Sequence, residues 1–138
     1  MVRQISVFME NRAGRLADIC EVIADADANI RGFVISDTAQ FGIVRFVLSH
    51  TDAAITALKE AGFTVTESPV LVLDLSADRP GGLAAVLKAV SEAGVNVEYA
   101  YSLVERFLAL SVENIDSAEE RVQNIGIPLL AQADIDAL

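Results

Sequence analysis

The chain has 138 residues, 53% of them hydrophobic, and a net charge of -10. That charge argues against partners held mainly by phosphate neutralisation, so neither nucleic acid nor an anionic membrane is expected. One cysteine excludes an intramolecular disulfide and one histidine excludes a histidine cluster for zinc. No apolar run approaches the roughly 20 residues of a membrane span, and the first residues lack the core of a signal peptide. The expectation is a cytoplasmic protein without metal or cofactor.

Residues 5–9 are apolar strand formers and predict a first strand. Leu16, Ile19, Cys20 and Ile23 then recur at helical spacing, with Asp18, Glu21 and Asp25 on the opposite side. This predicts an amphipathic helix on one sheet face, and packing explains Cys20 there better than reactivity does. Ala28-Asn29 ends the helix, residues 30–36 read as strand, and Asp37-Thr38-Ala39-Gln40 supplies turn chemistry before a third strand over 42–48. Thr51 or Asp52 is expected to cap a second helix ended by Gly62, followed by a strand over 63–66. His50 reads as a surface or capping residue, with no nucleophile marked beside it.

After Ser68-Pro69 the βαββαβ order repeats, which divides the chain into domains over 1–68 and 69–138. The second copy is expected as a strand over 70–75, a helix over 80–93, strands over 96–102 and 106–113, a helix over 117–124 and a closing strand over 127–132. Asn11-Arg12-Ala13-Gly14-Arg15-Leu16 returns as Asp78-Arg79-Pro80-Gly81-Gly82-Leu83 at an offset of 67, which holds to Ala28-Asn29-Ile30 against Val95-Asn96-Val97. The second helices align at an offset of 64, so three residues have been lost, most simply from the turn at Val104-Glu105. Ser68-Pro69 reads as a very short linker holding the halves close together.

Each half is small and buries only about 60% of its unfolded surface, so each needs a neighbour. Val70-Leu71-Val72-Leu73 and Phe107-Leu108-Ala109-Leu110 are apolar on both parities, so a sheet with helices on one face needs a cover on the other. A homodimer follows as the expectation.

The repeated stretch sits on a strand-to-helix turn. A helix start has unpaired N–H groups, a glycine there leaves them sterically open, and the helix dipole favours a carboxylate or phosphate. Pro80 suits the first turn of a helix, and Gly82 clears space where the first copy has Arg15. A plain helix cap explains either copy alone, but Asn29 and Asn96 add a second polar echo at the start of the next strand.

With this order of elements and these motifs, the chain resembles a tandem pair of ACT domains along nearly its whole length. The resemblance implies an α+β fold of two ferredoxin-like βαββαβ domains, with antiparallel sheets and helices on one face. It also implies a regulatory module, not an enzyme, that binds a free amino acid where two domains meet. The implied site comprises Asn11, Arg12, Ala13, Gly14, Arg15, Leu16, Asn29 and Ile30 with Asp78, Arg79, Pro80, Gly81, Gly82, Leu83, Asn96 and Val97. Asn11 would cooperate with Asn96 and Asp78 with Asn29, while main-chain groups of the turns receive the ligand carboxylate. Ala13 and Asp78 depart from the family's Pro and Asn. Arg31, Glu98, Tyr99 and Tyr101 are candidates for side-chain selectivity, and a separate regulated protein is a possible partner.

Competing classes with this element order lack their marks. An RNA-binding sheet needs aromatics and basic charge on its third strand, and a metallochaperone needs paired cysteines. An acyl-phosphate hydrolase needs a glycine-rich phosphate signature that is absent. A pair of domains that only binds protein or oligomerises is the remaining alternative.

Overall fold

The computed structural model describes residues 1–37, 41–76 and 79–138. Thr38, Ala39 and Gln40 of the expected turn, and Asp78 of the expected site, lie outside the described residues. The elements are β1 (Val2–Glu10), α1 (Arg15–Asp25), β2 (Ile30–Asp37), β3 (Phe41–Leu48), α2 (Thr51–Glu60), β4 (Thr64–Asp74), α3 (Gly82–Glu92), β5 (Val97–Ser102), β6 (Phe107–Val112), α4 (Ile115–Asn124) and α5 (Gln132–Asp136). Two compact units result. The first comprises Arg3–Ser68 with Ile135–Leu138, the second Met1–Val2 with Pro69–Asp134.

In the first unit the strand order is β2-β3-β1, with the start of β4 beyond β1. β1 and β3 are antiparallel with Val7 opposite Val44, and β2 and β3 are antiparallel with Phe33 opposite Phe46. Ile5, Val7, Met9, Val44, Phe46 and Leu48 fall on one face by strand alternation and pack with Ile19 and Ile23 of α1 and Ala54 and Leu58 of α2. The helical stripe expected from the sequence is thus the core-facing side of α1. Each buried isoleucine contributes about 1.5–3 kcal/mol through the water it excludes. Cys20 lies half-buried on that side, where burial pushes its thiol pKa up.

The second unit repeats the order as β5-β6-β4. Leu71, Leu73, Leu108, Leu110 and Val112 pack with Val90 of α3 and with Ala118 and Val122 of α4. On the other face, Val72 lies opposite Ala109 and both are fully buried within the single chain. Exposed aromatic side chains of the first unit include Phe8, Phe33 and Phe41.

Four expected boundaries are corrected. Ser68-Pro69 is not a linker, because β4 runs unbroken through it. The ladder with β6 takes up β4 from Leu71, so the missing Pro69 N–H costs no bond there. The second helix is capped by neither Thr51 nor Asp52: His50, left-handed at φ 51°, precedes it, and the Thr51 hydroxyl donates to Leu48 O at 3.3 Å. α4 begins at Ile115, after a left-handed Asn114, not at residue 117. The closing strand is reduced to one bridge, Leu73 with Leu129, flanked by bonds from Asp74 N to Pro128 O and from Leu130 N to Val72 O. The Asp134 carboxylate then accepts from Ala131 N at 2.7 Å and turns the chain into α5 instead.

The best-formed ion pair of the first unit ties β1 to β4 and α2. Arg3 donates from Nε and Nη2 to the two Glu67 oxygens at 2.6 and 3.0 Å, and from Nη2 to Asp52 at 2.7 Å. The Arg3 hydrogen bonds hold both carboxyls below their ordinary pKa and raise that of Arg3. A carboxylate with a depressed folded pKa stabilises above its unfolded pKa and loses that contribution as pH falls through the folded value. All three side chains are partly or largely exposed, so screening keeps the Arg3–Glu67 contribution to about 0.5–1 kcal/mol. Arg3→Ala should therefore lower urea stability by about that amount at pH 7, with the difference from wild type shrinking as pH falls below the ordinary glutamate value of 4.5. An unchanged difference at pH 3 would contradict the assignment.

Candidate functional site

The two turns that the sequence repeats have the same backbone. Gly14 stands at φ 88°, ψ -15° and Gly81 at φ 85°, ψ -5°. Arg15 N donates to Arg12 O at 3.3 Å and Gly82 N to Arg79 O at 3.1 Å. A bond across four residues with its third residue at these angles is a type II turn, which favours glycine third and proline second. Pro80 is that second residue, so it precedes α3 and does not form its first turn. Gly82 is buried at the first position of α3, not the open space expected of it.

Asp18 N reaches Gly14 O at 2.9 Å and Ala85 N reaches Gly81 O at 3.0 Å, so the helical ladder begins at those groups. Between turn and ladder, the N–H groups of Leu16 and Ala17, and of Leu83 and Ala84, have no acceptor among the described residues. Neither helix has a side-chain cap. Both glycines are exposed, with nothing within 4 Å of where a Cβ would stand. Each turn thus presents, at the positive end of an 11-residue helix, two donors without an acceptor among the described residues.

The side chains around the turns differ. Arg12 pairs with Glu10 at 3.3 Å, and Arg15 folds back onto the first unit, 3.6 Å from Asp18 and with its guanidinium 4.8 Å from the Phe63 ring centroid. Arg79 is exposed and has no ionic partner among the described residues. Leu16 packs against the first core, whereas Leu83 is 47% exposed. Asn11 and Ala13 are exposed at the turn.

Asn29 and Asn96 lie at the opposite ends of α1 and α3. Asn29 is tied down through its main chain, donating to Ser49 Oγ at 2.9 Å and accepting from Ser49 N at 3.0 Å. Asn96 O accepts from Glu113 N at 3.4 Å. The side-chain amides of Asn11, Asn29 and Asn96 are exposed and have no partner among the described residues. Ile30 and Val97 open the next strands and pack half-buried on the two cores. Within one unit, turn and asparagine are separated by the length of the helix, about 16 Å at 1.5 Å per residue. A unit alone does not bring them together.

Asn96 also lines a cavity of about 90 Å³ with Gly94, Glu113, Asn114, Ser117 and Arg121. Arg121 donates from Nη1 to Gly94 O at 3.2 Å, placing a cation on the C-terminal end of α3. In the first unit the matching contact is made by His50, whose Nδ1 lies 2.8 Å from Asp27 O. The carbonyl can only accept, so Nδ1 carries the proton and the lone histidine is structural. The sequence reading did not single out Asn114, Ser117 or Arg121; the run Asn114-Ile115-Asp116-Ser117 was the available cap signal. Among the described residues no group of three or more His, Cys, Asp or Glu could hold a metal ion. None of their helices is long and apolar enough to cross a membrane.

The structure is thus two ferredoxin-like α+β units, each with a glycine-led start to its first helix. The chain belongs to the ACT domain pair family, whose model matches residues 1–136. Protein BT0572 from Bacteroides thetaiotaomicron is similar over 99% of this chain and 96% of its own, at 34% identity and a TM-score of 0.89. The ligand-free regulatory subunit of aspartate kinase from Thermus thermophilus shares the fold at 16% identity and a TM-score of 0.64, over 89% of each chain. The Thermus flavus regulatory subunit does so at 17% identity and 0.59, over 88% of this chain and 90% of its own. No curated protein sequence matches the chain.

The positive φ at Gly81 predicts the cost of filling it. Gly81→Ala meets no atom, so its destabilisation is purely conformational, about 1–2 kcal/mol by chemical denaturation. Gly94→Ala should cost more, because at φ 81° the new Cβ would also stand 2.8 Å from Arg121 Nη1. Equal costs at the two sites would show that the Arg121 contact yields freely.

Proposed function

We propose that the protein is a regulatory sensor that binds a free amino acid and carries no reaction of its own. The carrying observation is the pair of uncapped helix starts, which offer the donors of Leu16, Ala17, Leu83 and Ala84 to a carboxylate in the same way in both units. Membership of the ACT domain pair family and the fold shared with regulatory subunits of aspartate kinase support a ligand of the amino-acid class. The ligand residues on this reading are the two turns, Asn11 to Leu16 and Asp78 to Leu83, with Asn29, Ile30, Asn96 and Val97. Asn side chains supply both a donor and an acceptor to an amino acid, and Asp78 supplies acceptors for an ammonium group. Arg79, without an ionic partner among the described residues, and the exposed Leu83 favour the second turn as the carboxylate receiver.

Binding to the folded state alone at 100 times the dissociation constant adds about 2.7 kcal/mol of stability. A calorimetric and thermal-shift screen of the twenty amino acids should therefore find at least one that raises Tm. Asn96→Ala should weaken that ligand about 10-fold or more with little change in apo stability, since the side chain has no partner among the described residues. No shift with any amino acid would overturn this reading in favour of a purely protein-binding module.

Self-association is the second part of the proposal, and the exposed Phe8 and Phe41 of the first unit favour it. Phe8 lies opposite Ile43 and Phe41 opposite Glu10 on the sheet face away from α1 and α2. Sedimentation equilibrium should show a dimer at micromolar concentration that Phe8→Ser with Phe41→Ser shifts to monomer; a monomeric wild type would remove this part. Regulation would then pass from the ligand to dimer packing or to a separate protein through differential affinity for two arrangements.

A further inference from the structure

The cavity of about 90 Å³ in the second unit lies where the chain passes from α3 into β5 and from β6 into α4. Val95 and Ala118 line it from buried positions, and Asn96, Glu113, Ser117 and Arg121 from exposed ones. Apolar lining with a few convergent polar groups is the usual composition of a small-molecule site. Arg121 is held there by Nη1, which donates to Gly94 O at 3.2 Å and Ala93 O at 3.5 Å. Its other N–H groups, and the Glu113 carboxylate, have no partner among the described residues. A guanidinium residue and a carboxylate residue thus line one cavity without pairing with each other. The first unit differs at these places. At the offset of 64, Glu113, Ser117 and Arg121 correspond to Ser49, Ala53 and Ala57. The Ser49 hydroxyl accepts from Asn29 N at 2.9 Å, whereas Asn96 N has lost that acceptor and has no other among the described residues.

We propose that this cavity is a second binding site, distinct from the repeated turns, and that it takes a small zwitterionic amino acid of the size of alanine or serine. Arg121 receives the α-carboxylate, with the Ser117 hydroxyl as a further donor, and Glu113 receives the ammonium group. The short side chain goes against Val95 and Ala118. A ligand with only one of the two charges leaves the other charged residue of the site without a partner, so the zwitterion is preferred over a simple anion or cation. At about 10–15 Å³ for each water-sized occupant, the cavity admits about six to nine non-hydrogen atoms, fewer than an aromatic amino acid has. The site goes beyond the reading above, because neither turn contributes to it.

The test is calorimetry and amide NMR on the full chain with glycine, L-alanine, L-serine, L-phenylalanine, acetate and ethylammonium, on wild type, Glu113→Gln and Arg121→Gln. At least one of the three small amino acids should shift the amides of Asn96 and Ser117 and bind about 10-fold or more tighter than acetate, ethylammonium or L-phenylalanine. Each substitution should weaken that ligand about 10-fold or more, and Glu113→Gln should also narrow its advantage over acetate. Should Arg121→Gln lose its fold by circular dichroism, Glu113→Gln decides. Acetate binding as tightly as the small amino acids, or their binding surviving Glu113→Gln, overturns the inference. Shifts confined to Leu16, Ala17, Leu83 and Ala84 overturn it and leave the amino-acid reading of the turns standing. Shifts at Asn96 and Ser117 with those four amides unmoved support it and count against the turns. Binding of no amino acid overturns both.

Discussion

Left-handed residues bracket the helices α1 to α4 at both ends. Gly14 and Asp27 flank α1, His50 and Gly62 flank α2, Gly81 and Gly94 flank α3, and Asn114 and Gly126 flank α4. At the N-terminal end the positive φ swings the chain from strand to helix without a side-chain cap, and none of the four starts has one. Such a conformation costs about 1–2 kcal/mol for a residue with a Cβ, which explains glycine at five of the eight positions. Where it is not glycine, the hydrogen bond between His50 and Asp27 O joins two of the exceptions, and asparagine tolerates the region as a residue type.

This way of entering a helix leaves donors unused, and at α1 and α3 the glycine also leaves them uncovered. A helix start closed by a serine or aspartate cap would be the more stable choice in isolation. Keeping it open in both halves of a diverged duplication fits a role in receiving an anion better than a role in stability. The two copies have not stayed equivalent. Arg12 and Arg15 are engaged with Glu10, Asp18 and Phe63 in the first, whereas Arg79 of the second has no ionic partner among the described residues.

The duplicated turn, the helical stripes and the strand alternation were legible in the sequence because they are set by local periodicity and by glycine. Leu16, Ile19 and Ile23 announce α1, and the offset between copies announces the second unit. The boundaries that failed were those decided by competition. Thr51 and Asp52 look like caps, but a left-handed His50 enters the helix before them. Pro80 looks like a first helical residue, yet Pro-Gly is also the centre of a type II turn, and the Arg79 to Gly82 bond selects the turn. The apolar run over 127–132 reads as strand, but Pro128 has no N–H to give a ladder and Asp134 caps a helix instead. The contact of Arg31 with Leu138 joins residues 107 positions apart, which no local pattern reports.

The central claim is that the open helix starts of α1 and α3 receive the ligand. It is tested most directly by following the amide resonances of Leu16, Ala17, Leu83 and Ala84 by NMR while an equimolar mixture of the twenty amino acids is added. Shifts at Leu83 and Ala84, with or without those at Leu16 and Ala17, in step with Asn29 or Asn96, are the expected result. Ligand-induced shifts confined to other parts of the chain, with these four amides unmoved, would contradict it.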